Sequence, residues 1–167
     1  MRRIAPLDRA IAGGDTLVLG ETTFEVIDVG GHTLGHVALW SSDAGAAFVG
    51  DSLFALGCGR MFEGTPAQFW ASLQRLGALP PETAVYCAHE YTASNARFAL
   101  SVDDDPAVRT RAEAIFSARE RGEPTVPTTI GDEIATNPFL RASRLRPALD
   151  PVSAFAAIRA EKDAFKG

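Results

Sequence analysis

The sequence predicts an α+β protein, sheet-rich to about residue 90 and helical with loops from there to residue 167. Two observations carry this. Up to Cys87, apolar residues come in short, often alternating runs separated by Gly-containing turns, the pattern of hairpin-linked strands. From Thr65 onward, Thr-Pro and Asp-Pro pairs precede stretches whose apolar residues recur every three or four positions, the pattern of capped amphipathic helices.

In chain order, residues 1 to 14 are mixed and end in Gly13-Gly14. Leu17-Val18-Leu19 and Thr22 to Val29 read as strands joined by a turn at Gly20-Glu21. Gly30-Gly31 breaks the second strand, His32 to Gly35 is a loop, and His36 to Trp40 resumes an apolar strand. Ser41 to Gly45 is a polar turn, and Ala46 to Val49 leads into Asp51. These short strands predict a mostly antiparallel or mixed sheet. Thr65-Pro66 opens a helix with Phe69, Leu73 and Leu76 on one face and Gly77 as its stop. Thr83 to Cys87 is a short strand that ends near His89. Tyr91 to Leu100 reads as helix. Asp105-Pro106 starts another, with Val108, Ala112, Ile115 and Phe116 as its apolar side and Gly122 as its end. Glu123 to Thr129, with two prolines, reads as a loop. Asp150-Pro151 starts a last helix in which Phe155, Ile158 and Phe165 face inward.

Composition narrows the function classes. The 167 residues are enough for one ordinary domain with a real core, and 46% are hydrophobic. A net charge of −5 without a Lys/Arg-rich run argues against a nucleic-acid or anionic-membrane surface. Cys58 and Cys87 are far apart and form no Cys-x-x-Cys pair, which suits a reducing compartment. No apolar run approaches a membrane span, and Met1-Arg2-Arg3 is not followed by a signal-peptide core, so cytoplasm is the expected location.

The chemistry-bearing residues cluster around Asp51. It stands at the tip of a buried strand, and the chain after it is glycine-rich, which lets backbone approach a ligand closely. The three histidines, His32, His36 and His89, all lie beside strand-like sequence. Imidazoles and a carboxylate are the donors that zinc-like or iron-like metals take. Two readings stand on the residues alone: unrelated polar groups at strand ends, or a metal-binding constellation of His32, Asp51 and His89. His36, at a strand start, reads as a structural histidine.

Several segments, in this order, resemble glyoxalase II (hydroxyacylglutathione hydrolase), of the metallo-β-lactamase superfamily. They are Gly31-His32-Thr33-Leu34-Gly35-His36, Gly50-Asp51-Ser52-Leu53-Phe54, Gly57 to Thr65, Cys87-Ala88-His89-Glu90-Tyr91-Thr92, Asn137-Pro138-Phe139-Leu140-Arg141, and Asp150-Pro151-Val152 through Arg159 to Asp163. The resemblance spans almost the whole chain. It implies the second half of an αβ/βα metallo-β-lactamase fold over residues 1–92, then a helical glutathione-binding region over residues 93–167. It implies two divalent metals (zinc, with iron or manganese as alternatives), with His32 on one, His89 on the other and Asp51 bridging both as the catalytic carboxylate. Arg60, Phe62, Tyr91, Arg141 and Arg144 match positions that contact glutathione. The implied reaction is hydrolysis of S-(2-hydroxyacyl)glutathione thioesters such as S-lactoylglutathione, within methylglyoxal detoxification.

Three departures stand out. Gly30 replaces the usual proline, and Phe62 replaces a common tyrosine. The larger departure is that the family's first metal motif, His-x-His-x-Asp-His, is absent among three histidines. That motif belongs to an N-terminal half expected before residue 1. A C-terminal portion of a longer enzyme is therefore the favoured expectation. A half-enzyme that pairs with a separate N-terminal chain, and a non-catalytic glutathione-conjugate binder, are the alternatives. For the chain alone, weak or no metal binding and exposed apolar sheet surface are expected, with a tendency to self-associate.

Overall fold

The computed structural model describes residues 8–167; the reading of the first seven lies outside the described residues. Among the described residues, eight strands and six helices follow one another as β1 (Thr16–Leu19), β2 (Thr22–Asp28), β3 (Val37–Ser41), β4 (Ala46–Gly50), β5 (Leu53–Phe54), β6 (Gly57–Cys58), α1 (Pro66–Gly77), β7 (Ala84–Cys87), α2 (Thr92–Val102), α3 (Pro106–Glu120), β8 (Thr128–Thr129), α4 (Ile130–Thr136), α5 (Ala142–Leu145) and α6 (Pro151–Ala164). Six strands form one sheet in the order β1-β2-β3-β4-β7-β8, and β5 and β6 form a separate hairpin. All neighbours are antiparallel except β4 and β7. The sheet is therefore mixed: tight turns join β1 to β2 and β3 to β4, the loop that holds His32 joins β2 to β3, β4 returns to β7 through the hairpin and α1, and α2 and α3 lie between β7 and β8. Gly20, at φ +61 between β1 and β2, supplies the left-handed residue that a tight turn requires.

Helix starts follow their caps. Thr65 Oγ1 accepts from Gln68 N (3.2 Å) while Gln68 Oε1 accepts from Thr65 N (2.9 Å), a closed capping box ahead of Pro66. Asp105 accepts from Ala107 N (2.9 Å), and Asp150 accepts from Val152 N and Ser153 N (3.1 Å each), both preceding a proline. Three differences from the sequence reading appear. Thr128 and Thr129 form a sixth strand beside β7, too short to show alternation. The Thr129 side chain caps α4, a helix not anticipated, through Asp132 N at 3.1 Å. The third strand starts at Val37; the His36 carbonyl still accepts from Val29 N (3.0 Å), while its ring packs against Gly50.

The alternation along the strands gives the sheet two different faces. One carries Ala38, Ala47, Val49 and Val85, all fully buried, into the main core. There they join Phe69, Leu73 and Leu76 of α1, Phe98 of α2, Ile130 of α4, Phe139, and Phe155 and Ile158 of α6. Aromatic rings run through this core edge to face, Phe69 to Phe155 at 5.6 Å and Phe139 to Phe155 at 6.2 Å. The core thus joins residues on both sides of position 92. A second, smaller core lies between α2 and α3: Ala96, Ala99, Val108, Ala112 and Ile115 surround Leu56 from the tip of the β5–β6 hairpin. Leu56 is fully buried and sits at φ +56, a conformation most side chains avoid.

Candidate active site

The ends of β2, β4 and β7 converge at one edge of the sheet, and the loops leaving them hold the site. His32 follows β2. Gly31 before it lets the loop press on α1: a Cβ there, at φ +151, would meet Phe69 Cγ at 2.4 Å. His32 Nδ1 lies 2.8 Å from the Arg60 carbonyl oxygen, which can only accept, so Nδ1 carries the proton and Nε2 keeps a free lone pair. Asp51 follows β4. Its backbone N–H lies 3.1 Å from His36 Nε2, which also stands 3.3 Å from the Val49 carbonyl oxygen, so the His36 ring is tied to the backbone on both sides of Gly50. Gly50, at φ +53, makes room for this ring: a Cβ would meet His36 Nε2 at 2.6 Å. His89 follows β7, and its Nε2 stands 3.2 Å from Asp51 Oδ1.

These groups open into a cleft of about 630 Å³. The β5–β6 hairpin and the chain after it form one wall, contributing Phe54, Cys58, Gly59, Arg60 and Phe62. Gly59 is needed because a Cβ there would meet the Asp51 carbonyl oxygen at 2.0 Å. Tyr91 stacks on His89 with ring centroids 4.8 Å apart, and Phe62 tilts against His32 at 4.9 Å. The opposite wall is α2 and α6, with Ser94, Asn95, Arg159, Lys162 and Phe165.

The far wall is cationic. Arg159 is buried, donating to the Cys58 carbonyl (3.1 Å) and to Asp163 (2.9 Å), with its guanidinium over the Phe139 ring. Lys162 reaches the Ser94 carbonyl (3.2 Å) and lies over Phe98 and Phe165. Burial, then the charges of Arg159, Arg97 and Arg60, pull the Lys162 ammonium down to about 8, with Asp163 opposing. Asp163 also takes the 3.8 Å contact from Arg60. One carboxylate thus serves Arg60 and Arg159 beside a half-buried lysine, an excess of positive charge in a protein of net charge −5. Burial pushes the Cys58 thiol up to about 11, which keeps it an inert packing group.

Of the residues singled out from the sequence, His32, Asp51, Arg60, Phe62, His89 and Tyr91 meet in this cleft. Arg141 and Arg144 lie outside it, bonded to carboxylates of their own. Arg141 is buried, paired with Asp103 (2.9 Å) and Asp105 (2.8 Å), and donates to the Ala135 carbonyl; Arg144 bonds the same Asp105 at 2.9 Å. Hydrogen bonds from Arg141 and from Ala107 N, with both guanidinium charges, lower the Asp105 carboxyl to about 2. These arginines hold the start of α3. Their place on the cleft is taken by Arg159 and Lys162, whose spacing of three puts them on one face of α6; that spacing was the available signal.

The sheet, the histidine- and aspartate-bearing loops at its edge and the helices behind it define a metallo-β-lactamase-type hydrolase. Residues 3–89 match the metallo-β-lactamase superfamily model, and residues 90–165 match the model of the hydroxyacylglutathione hydrolase C-terminus. The hydroxyacylglutathione hydrolase of Erythrobacter litoralis is 56% identical over 99% of this chain and 68% of its own length, and that of a Jannaschia species is 54% identical over 98% and 67%. This chain belongs to the hydroxyacylglutathione hydrolase family. It spans about two thirds of the length of these relatives. Among solved structures, ETHE1 from Myxococcus xanthus superposes with a TM-score of 0.62 at 23% identity, over 93% of this chain and 53% of that one. TTHA1623 in a di-iron-bound form superposes with a TM-score of 0.53 at 31% identity, over 81% and 50%.

The superfamily implies divalent metals, and the donor set here meets that requirement only in part. Asp51, His89 and the free Nε2 of His32 have the right chemistry, yet among the described residues no three His, Cys, Asp or Glu side chains are grouped closely enough to hold an ion. Catalytic zinc-type centres ordinarily take three protein ligands per metal. The described residues do not by themselves make a complete metal site.

Proposed function

We propose that this chain provides the substrate cleft for hydrolysis of S-(2-hydroxyacyl)glutathione thioesters, S-lactoylglutathione among them, to glutathione and a 2-hydroxy acid, as a cytoplasmic step in methylglyoxal detoxification. The observation that carries the reading is the polarity of the cleft: His32, Asp51 and His89 at one end, and Arg60, Arg159 and Lys162 around the single carboxylate of Asp163 at the other.

Glutathione presents carboxylates, and forked guanidinium donors suit them even on an acidic protein. Held by the basic end, a thioester lies along Phe54, Phe62 and Tyr91 with its acyl carbon directed toward Asp51 and His89. The aromatic wall restricts water around the sulfur, and fixing the substrate at a remote anionic group converts binding energy into orientation at the reacting bond. His32, Asp51 and His89 are the groups of this chain that would take part in holding zinc, iron or manganese.

Calorimetric titration with S-lactoylglutathione tests the reading. Binding that weakens at least tenfold on Arg60→Ala or Lys162→Ala supports it; absence of binding by the unaltered chain overturns it. The incomplete donor set favours a second reading, a glutathione-conjugate binder without chemistry. Following loss of the thioester separates the two: the chain alone should show little turnover, and turnover after the donor set is completed would exclude the binder.

A further inference from the structure

We infer that the groove between α2 and α3 receives the γ-glutamyl end of a glutathione conjugate; this rests on the glutathione-thioester reading above. Ala93, Arg97, Phe116, Arg119 and Glu120 line the groove, which has a volume of about 520 Å³. Phe116 is its half-buried apolar floor, packed against the smaller core. Arg119 is held in place: it donates to the Glu123 carbonyl (2.6 Å) and stands 3.8 Å from Glu90. Arg97 and Glu120 are exposed, and among the described residues neither has an ion-pair partner. Opposite charges that line one groove without reaching each other leave room for an ion of each sign between them.

Charge complementarity decides which end of the ligand goes where. Glutathione ends in a bare carboxylate at its glycine and in an α-amino acid, ammonium beside carboxylate, at its γ-glutamate. The basic end of the cleft has Arg60, Arg159 and Lys162 around Asp163, an excess of positive charge that suits the bare carboxylate. The groove offers both signs, Arg97 and Arg119 for a carboxylate and Glu120 for an ammonium. The span is also short enough. Tyr91, Ser94 and Asn95 line the cleft while Ala93 and Arg97 line the groove, so only the first turns of α2 separate the two. A helix with its side chains is about 10–12 Å across, and an extended tripeptide reaches about 10 Å. The charge of Arg97 also acts on the Lys162 ammonium, which marks the two sites as neighbours.

The test is calorimetry with non-hydrolysable thioethers on the unaltered chain and two surface variants. S-butylcysteinylglycine, which lacks the γ-glutamyl group, should bind about five- to tenfold more weakly than S-butylglutathione. Arg97→Gln should cost S-butylglutathione a similar factor and leave S-butylcysteinylglycine within about twofold. Glu120→Gln should erase the preference for S-butylglutathione over its desamino analogue, in which only the ammonium is missing. A merely structural effect, or a long-range effect of the Arg97 charge on Lys162, would weaken every ligand alike. Such parallel losses overturn the inference, as does indifference of S-butylglutathione to both variants. Free glutamate that binds the unaltered chain and is lost on Arg97→Gln, with conjugate affinity unchanged, gives the groove to a separate amino acid and overturns it too. Failure of the unaltered chain to bind S-butylglutathione overturns the glutathione reading as well, whereas a conjugate bound without regard to Arg97 or Glu120 leaves that reading standing.

Discussion

Replacing Glu133 by glutamine should loosen the candidate site from behind, through a side chain that never touches the cleft. Glu133 is fully buried. One carboxylate oxygen accepts from Arg111 and from Thr128 Oγ1 (2.6 Å), and the other from Leu56 N (2.9 Å) and Asn137 Nδ2 (2.8 Å). In Glu133→Gln an NH2 group must face two of those donors, and Arg111, only 16% exposed, loses its counter-charge. Removing one member of a buried pair costs ~3–5 kcal/mol. The orphaned donors, worth ~1–3 kcal/mol each, are another description of the same loss and are not added to it. Since each kcal/mol moves the midpoint by ~2–4 °C at this chain length, Tm should fall by about 6–20 °C. Urea unfolding followed by circular dichroism measures the change. The double variant Arg111→Met with Glu133→Gln should recover part of it, because the uncompensated charge is gone. A loss below about 1 kcal/mol for the single variant would refute the reasoning, since even one unsatisfied buried group costs that much.

Two further expectations concern charge. Lys162 has a folded-state pKa of about 8, below its ordinary 10.5, so it loses its charge as pH rises through about 8. Affinity for a glutathione conjugate should therefore fall between about pH 7 and about pH 9, whereas this residue's contribution to folding improves over the same range because the neutral amine is the form the fold favours. Lys162→Arg, charged throughout, should flatten the binding profile in calorimetry. Arg141→Ala should cost ~3–5 kcal/mol of stability by leaving Asp103 buried without its counter-charge, yet should leave conjugate affinity unchanged below the unfolding transition; a tenfold loss of affinity would place Arg141 in the binding site.

Legibility in the sequence tracked how local each cause is. The starts of α1, α3 and α6 were readable because a capping Thr or Asp and the following proline act within four residues. His32, Asp51 and His89 were readable as strand-end groups, and the fold indeed delivers them to one edge. The sixth strand was not readable, since two threonines show no periodicity and owe their pairing to β7. The surroundings of Arg141 were not readable for a different reason. An arginine near a glutathione-family motif looks like a carboxylate reader, but its own carboxylates, Asp103 and Asp105, arrive from more than 30 residues upstream. Arg159 and Lys162 were obscured likewise, because only the packing of α6 against the hairpin brings them opposite Arg60.

The β5–β6 hairpin bears on how the cleft can move. Its tip drives Leu56 into the smaller core while Leu53 and Cys58 at its base belong to the larger one. Between them Asn95 bonds the Ala55 carbonyl (3.1 Å) and Asn137 bonds those of Phe54 (3.2 Å) and Gly57 (3.0 Å). A segment riveted into two cores has no low-energy hinge of its own, so it cannot act as a closing lid. Adaptation to different acyl groups is left to the aromatic side chains that stand free around it, Phe62 and Tyr91, each more than half exposed. Tolerance for the acyl end of the substrate then becomes a matter of rotamers moving over a fixed backbone.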